Sequence, residues 1–252
     1  MTHNDVHELI DGFKLFPDPN DVFARDVALH CKYLLPLATI ELAVVNPDIS
    51  GRAHFIQPIE PQDGVVGEGG DEYFTYNTRQ NIVGYSYDGD RCVLDGDFRY
   101  FERCRLDLRS ELTERESHIQ NCYEDHYRIV RDGYNLARNH ASEFGMLHKR
   151  NSEPPYTPTD RLSVALQIGG ISEGGNWASD DLFPIDWGRS ERNDGGFDFN
   201  VAPLTADRRR FEFVGQIPVS CYVWSERSTL SCDLVLFFDP VERVGLTTFD
   251  WS

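Results

Sequence analysis

Hydrophobic and polar residues follow three successive patterns along this chain. Up to about residue 110 the apolar positions come in short runs. "DVFARDVALHCKYLL" has helical spacing, and Pro36, which lacks a backbone donor, is expected to end that helix. Strands are expected next. "TIELAVV" and "RAHFIQPI" are rich in β-branched residues and flank the turn-forming "NPDISG", which predicts a close strand pair. "EYFTYN", "NIVGYSY", "RCVLDG" and "FRYFERCRLDL" continue as strand candidates, with Asp88-Gly89 and Asp95-Gly96 as the turn dipeptides between them.

From about Ser110 to Lys149 the period changes. Ile119, Tyr123, Val130, Ala137, Ala141 and Phe144 recur on one helical stripe, and Thr113 with Glu116 has capping-box spacing. This predicts one long helix, which Gly133 can bend or interrupt and which ends before the polar, proline-rich linker "RNSEPPYTPTD". From Arg161 onwards strand patterns return in "RLSVALQIGG", "RRFEFVGQIPV", "CYVW", "CDLVLFFDP" and "VGLTTFDWS". Loops such as "RSERNDGGFDFN" are expected between them. The expected architecture is therefore a single α+β domain spanning residues 1–252, with antiparallel sheets flanking one long central helix. Its parts are a mixed half (1–110), the helix (111–150), the linker (151–160) and a β-rich half (161–252).

Charge narrows the choice of partner. The 252 residues carry 42 acidic against 24 basic side chains, a formal net charge of -18. Such a field repels phosphate, so binding to nucleic acid or to an anionic membrane is not expected, whereas a basic partner would be attracted. The start of the chain, "MTHNDVHELIDGF", lacks the basic and apolar regions of a secretory signal, and no apolar run reaches the length of a membrane span. A cytoplasmic protein is expected. Cys31, Cys92, Cys104, Cys122, Cys221 and Cys232 form no CxxC pair, which fits reduced thiols better than a disulfide framework. Cys221 and Cys232, on neighbouring expected strands, are read as two buried free thiols.

The most chemistry-like stretch is "SHIQNCYEDH", which spaces His118, Cys122 and His126 by four. A helix rises about 6 Å over four residues, so donors eight apart stand about 12 Å from each other at the backbone and do not converge on one ion. His126 falls toward the apolar stripe, Cys122 at its edge and His118 outside it. The glycine-rich "GVVGEGGDEYF" lacks the lysine and hydroxyl of a phosphate-binding loop and reads as a flexible acidic surface loop. "YDGDRC" and "LDGDF" fit hairpin turns better than calcium loops. No GxSxG, HExxH or kinase-type catalytic motif occurs, and nothing in the sequence calls for a cofactor or a metal.

The order "LQIGGISEGGNW", "FPIDW", "FEFVGQIPVSCYVW" and "DLVLFFDP", over roughly residues 161–252, resembles the YwqG-like family. The resemblance implies a mostly β, α+β fold without an established catalytic mechanism. Members occur near bacterial polymorphic toxins, where small acidic proteins often serve as immunity factors. The expectation is accordingly a binding protein: an immunity protein that neutralises a cognate toxin, plausibly a basic nuclease. Glu68, Asp71, Glu72, Asp180, Asp181 and Asp194 are the candidate acidic contacts, and Trp177, Trp187 and Phe197 the candidate aromatic anchors. The alternatives are a small-molecule hydrolase with a non-contiguous site, using His118 or His126 with a nearby carboxylate, and a structural or scaffold protein.

Overall fold

The structure, a computed structural model, describes residues 2–60, 65–179, 182–191, 196–224 and 232–251, without the side chains of residues 190 and 191. The N-terminal part contributes β1 (His3–Val6), β2 (Phe13–Leu15), β3 (Leu34–Glu41), β4 (Arg52–Pro58), β5 (Ile82–Asp88) and β6 (Arg91–Leu94). After the long helix come β7 (Ala165–Ile168), β8 (Ile185–Glu191), β9 (Phe197–Pro203), β10 (Glu212–Pro218), β11 (Asp233–Asp239) and β12 (Val244–Asp250). The helices are α1 (Pro19–Val22), α2 (Val27–Tyr33), α3 (Leu42–Val45), α4 (Glu102–Asp107), α5 (Glu114–Phe144) and α6 (Val219–Tyr222). The fold is α+β, as the periodicities predict.

A seven-stranded sheet runs in the order β1-β7-β10-β11-β12-β5-β6, with every adjacent pair antiparallel. Its central strands are buried on both faces. Along β11, Leu234, Leu236 and Phe238 enter one apolar cluster, while Val235 and Phe237 enter a second on the opposite side. That double burial is why "DLVLFF" reads as an unbroken apolar run and not as an alternation. The first cluster is closed by the three-stranded sheet β2-β3-β4 and by α5, and the second by the segment around Trp177 and Phe183 and the base of the β8-β9 ribbon.

Helix α5 spans 31 residues and begins as its sequence dictates. The Thr113 hydroxyl accepts from the Glu116 N–H at 3.2 Å, and Glu116 accepts from the Thr113 N–H at 2.9 Å. At its other end Gly145, at φ 74°, takes the left-handed turn that closes a helix. The helix runs unbroken through Gly133, where a neighbouring backbone occupies the space of a side chain: Trp224 N–H donates to Gly133 O at 3.2 Å. The buried face binds α5 to the first half of the chain through Tyr134 Oη, which donates to Pro36 O at 3.0 Å.

Several expected elements differ. Pro36 lies inside β3, next to a register irregularity between Pro36 and Ala38, and the helix before it ends at Tyr33. "LAVV" of "TIELAVV" is the helical turn α3, and "CYVW" contributes the helical turn α6. "FRYFERCRLDL" folds as a 3-10 turn and α4, because Asp97 caps the turn and Glu60 caps α4 through its main-chain N–H groups. "EYFTYN" is a 3-10 turn followed by bends. Of the segment expected to be a loop, "RSERNDGGFDFN", residues 189–191 and 197–200 are instead strand, in β8 and β9, which pair antiparallel over seven residue pairs; residues 192–195 lie outside the described residues. All six cysteines are free thiols. Among the described residues no helix is long and apolar enough to cross a membrane.

Candidate functional site

The β8-β9 ribbon presents the clearest surface for recognition. Its register pairs Trp187 with Val201, Arg189 with Phe199, and Glu191 with Phe197. Directly opposed residues share a face, so Trp187, Arg189, Phe197 and Phe199 all lie on one side of the ribbon. Three of these four are aromatic and exposed: Trp187 at 46%, Phe197 at 53% and Phe199 at 41%. The Arg189 guanidinium sits 5.4 Å from the Phe199 ring centre, a cation–π contact between the two strands.

The opposite face is anchored. Arg210 donates from Nη1 to Asp186 Oδ2 at 2.8 Å and from Nη2 to the Asn200 carbonyl and side-chain oxygens at 2.7 and 2.8 Å. It lies over Gly188, where an added Cβ would stand 2.7 Å from Arg210 Nη1. At the base, Val201 N–H donates to Ser172 O at 2.7 Å, and Val201 to Leu204 are buried. Aromatic groups are thus carried outward on a strand pair clamped from behind, an arrangement that limits the ordering cost of binding.

The other expected contacts are distributed differently. Glu68, Asp71 and Glu72 are exposed on the turn and 3-10 helix that precede Phe74. Where its sequence suggests a flexible loop, this segment is pinned. Arg105 donates to the carbonyls of Arg99, Tyr100 and Glu68, and Gly67, at φ 80°, lies against the Tyr100 ring, where a Cβ would clash. Trp177 is not a surface anchor: it is 3% exposed, with its ring 5.1 Å from that of Phe237, because the second apolar cluster needs a large side chain there. Asp180, Asp181 and Asp194 lie outside the described residues. Of the aromatic residues named from the sequence, Trp187 and Phe197 are exposed on this face; Phe199 and Arg189 share it but are not singled out by the sequence, since reading 197–200 as a loop hides the period-two alternation that puts these residues together.

The histidines bear on catalysis. His118 Nε2 is 3.8 Å from Cys122 Sγ, while His126 is buried on another face of α5 and donates from Nε2 to Ile59 O at 2.7 Å. Among the described residues no carboxylate hydrogen-bonds either ring, and no three metal-ligating side chains cluster.

A different pair, Thr39 and His54, is aligned more like a nucleophile and its base. They face each other across β3 and β4, with Thr39 Oγ1 2.8 Å from His54 Nδ1. His54 Nε2 meets Asp90 O at 2.7 Å, and a carbonyl only accepts, so Nε2 carries the proton and Nδ1 accepts from the threonine. Burial pushes the His54 imidazole down to about 4. A main-chain carbonyl, and no carboxylate, hydrogen-bonds Nε2, and the nearby charges of Asp90 and Asp21 do not offset the burial that disfavours the imidazolium general-base catalysis creates. The pair is a weak proton acceptor and a strong cross-strand tie.

Glu60, also unforeseen, is wholly buried. It accepts from Glu102 N–H at 3.0 Å, Arg103 N–H at 2.9 Å and Tyr127 Oη at 3.0 Å. Burial outweighs these bonds and raises its carboxyl to about 7. Its partners are the start of α4 and the side of α5, so its place is structural. No protein-family model matches the chain, and neither a curated protein nor a solved structure matches it.

Proposed function

We propose that this protein works by binding another protein, and that its partner is a basic toxin which it neutralises as an immunity factor. The observation that carries the reading is the exposed aromatic face of the β8-β9 ribbon on a chain of net charge -18. Aromatic side chains on a clamped scaffold supply the desolvated contacts that dominate interface energies, and an acidic surface speeds encounter with a cationic partner. Glu68, Asp71 and Glu72, exposed and pinned, add to that attraction. The toxin assignment draws on the resemblance of residues 161–252 to the YwqG-like family, some of whose members occur near bacterial polymorphic toxins.

The test is co-expression with the toxin encoded beside this gene, together with binding kinetics on the purified pair. Growth rescue is expected, with an association rate that falls as salt rises. Replacing Trp187 and Phe199 together by alanine should weaken the complex by about 2–4 kcal/mol, mostly through faster dissociation. Rescue by the wild type that persists unchanged in a Trp187→Ala/Phe197→Ala/Phe199→Ala variant would remove the ribbon from the interface. No rescue from any neighbouring toxin would sink the immunity reading.

A further inference from the structure

Against the acidity of the whole chain, one pocket is lined mainly by cations. A cavity of about 230 Å³ where α2, α4 and α5 meet is bounded by Lys32, Arg103, Glu124, Tyr127, Arg128 and Arg131. The side chains are placed by packing. Lys32 leaves the last turn of α2, Arg103 the first turn of α4, and Arg128 and Arg131 lie one turn apart on α5, the side on which Tyr127 holds Glu60.

The charges here are not all satisfied. Asp107 is shared between Lys32 Nζ and Arg103 Nε, each at 2.8 Å. Arg103 Nη2 reaches Glu124 at 3.3 Å, but Arg103 Nη1 is buried with no hydrogen-bond partner among the described residues. That nitrogen is out of reach of solvent, so Arg103 lends the pocket its charge, while the donors open to the pocket come from Lys32, Arg128 and Arg131. Arg131 meets no carboxylate among the described residues; it donates only from Nη2, to the Cys31 and Lys32 carbonyls. Arg128 pairs with Asp125 at 3.1 Å, but both side chains are more than 60% exposed, so the pair yields readily to a competing anion.

We propose that this pocket binds a compact oxyanion, the phosphate group of a small phosphomonoester. Guanidinium forks match phosphate oxygens in pairs, and three arginines and a lysine converging from three helices place positive charge on several sides. The cavity is smaller than the roughly 300–1,000 Å³ of sites for drug-sized ligands, which suits a phosphate carrying only a few further atoms. The negative field of the remote surface does not cancel the site, because charges beyond about 8 Å are largely screened at physiological salt. A nucleic acid strand is a different matter, since it would have to lie along the acidic surface as well.

The experiment is calorimetric titration of the full-length protein at fixed ionic strength, with glycerol 3-phosphate, inorganic phosphate and acetate as the probes. Saturable one-to-one binding of glycerol 3-phosphate is expected, weaker binding of inorganic phosphate, and none of acetate. Arg128→Gln, at an exposed position, and Arg131→Gln should each weaken binding at least about tenfold. Glu124→Gln frees Arg103 Nη2 and should tighten binding several-fold, an effect that loss of folding cannot imitate. Binding of inorganic phosphate alone would overturn the phosphomonoester as ligand. Absence of saturable binding, or affinities unmoved by Arg128→Gln and Glu124→Gln, would overturn the site.

Discussion

Gly133 shows how a single contact can reverse a propensity. In an exposed helix interior, replacing glycine by alanine stabilises by about 1 kcal/mol. Here the new Cβ would stand 2.5 Å from Trp224 O and 2.8 Å from Trp224 C, main-chain atoms that cannot rotate aside. Gly133→Ala is therefore expected to destabilise the protein by about 1–3 kcal/mol, seen as a lower urea midpoint with an unchanged slope. A stabilised variant would mean that the Trp224 segment moves away freely. The glycine itself was visible in the sequence, but its reason was not: it suggested a bend, whereas close approach of a distant backbone explains it. Thr39 and His54 were hidden for the same cause. Fifteen residues apart and individually ordinary, they become a pair only through the β3-β4 register.

Elements with local instructions were legible. The Thr113/Glu116 box fixes the start of α5, and Asp88-Gly89 forms the β5-β6 turn, with Gly89 at φ 60°; the far end of α5 comes at Phe144, where Gly145 closes the helix ahead of the linker expected to stop it. Elements decided by tertiary contact were not. Pro36 is tolerated in β3 beside a register irregularity, and "FRYFERCRLDL" is helical because buried Glu60 supplies the N-terminal cap. The ribbon belongs to this second group, being held to the body by Arg210. Arg210→Ala is expected to speed amide exchange across β8 and β9 by about tenfold or more, while β10 to β12 keep their protection. The melting temperature should drop by no more than about 4 °C, since the lost ion pair is partly exposed. Unchanged exchange in the ribbon would show that its own ladder suffices. If the ribbon is the docking face, the same variant should also bind its partner less tightly, because the aromatic face loses its preorganisation.

At the scale of the whole molecule, buried titratable groups pull stability in opposite directions with pH. Burial lowers the pKa of His30, His54, His126, His140 and His148, with His54 reaching about 4. Each of these favours the folded state while neutral, so its contribution is complete above the unfolded value of about 6.5 and is lost as pH falls through the folded one. Glu60 acts the other way. Its carboxyl is raised from 4.5 to about 7, so its contribution is complete below 4.5 and is lost as pH climbs through 7. Between pH 5 and 8 the histidines and Glu60 therefore pull the wild-type profile in opposite directions. Glu60→Gln removes only the opposing member. Its stability, measured by urea unfolding from pH 5 to 8, should rise with pH by about 2 kcal/mol more than that of the wild type, whatever the offset between the two curves. The long-range repulsion of the acidic surface changes almost equally in both proteins, so the difference in slope isolates the buried carboxyl. Parallel curves would mean that Glu60 is already ionised in the folded protein at pH 5. Its bonds to the Glu102 and Arg103 N–H groups and to Tyr127 would then outweigh its burial, and the junction of α4 with α5 would carry a permanent buried charge.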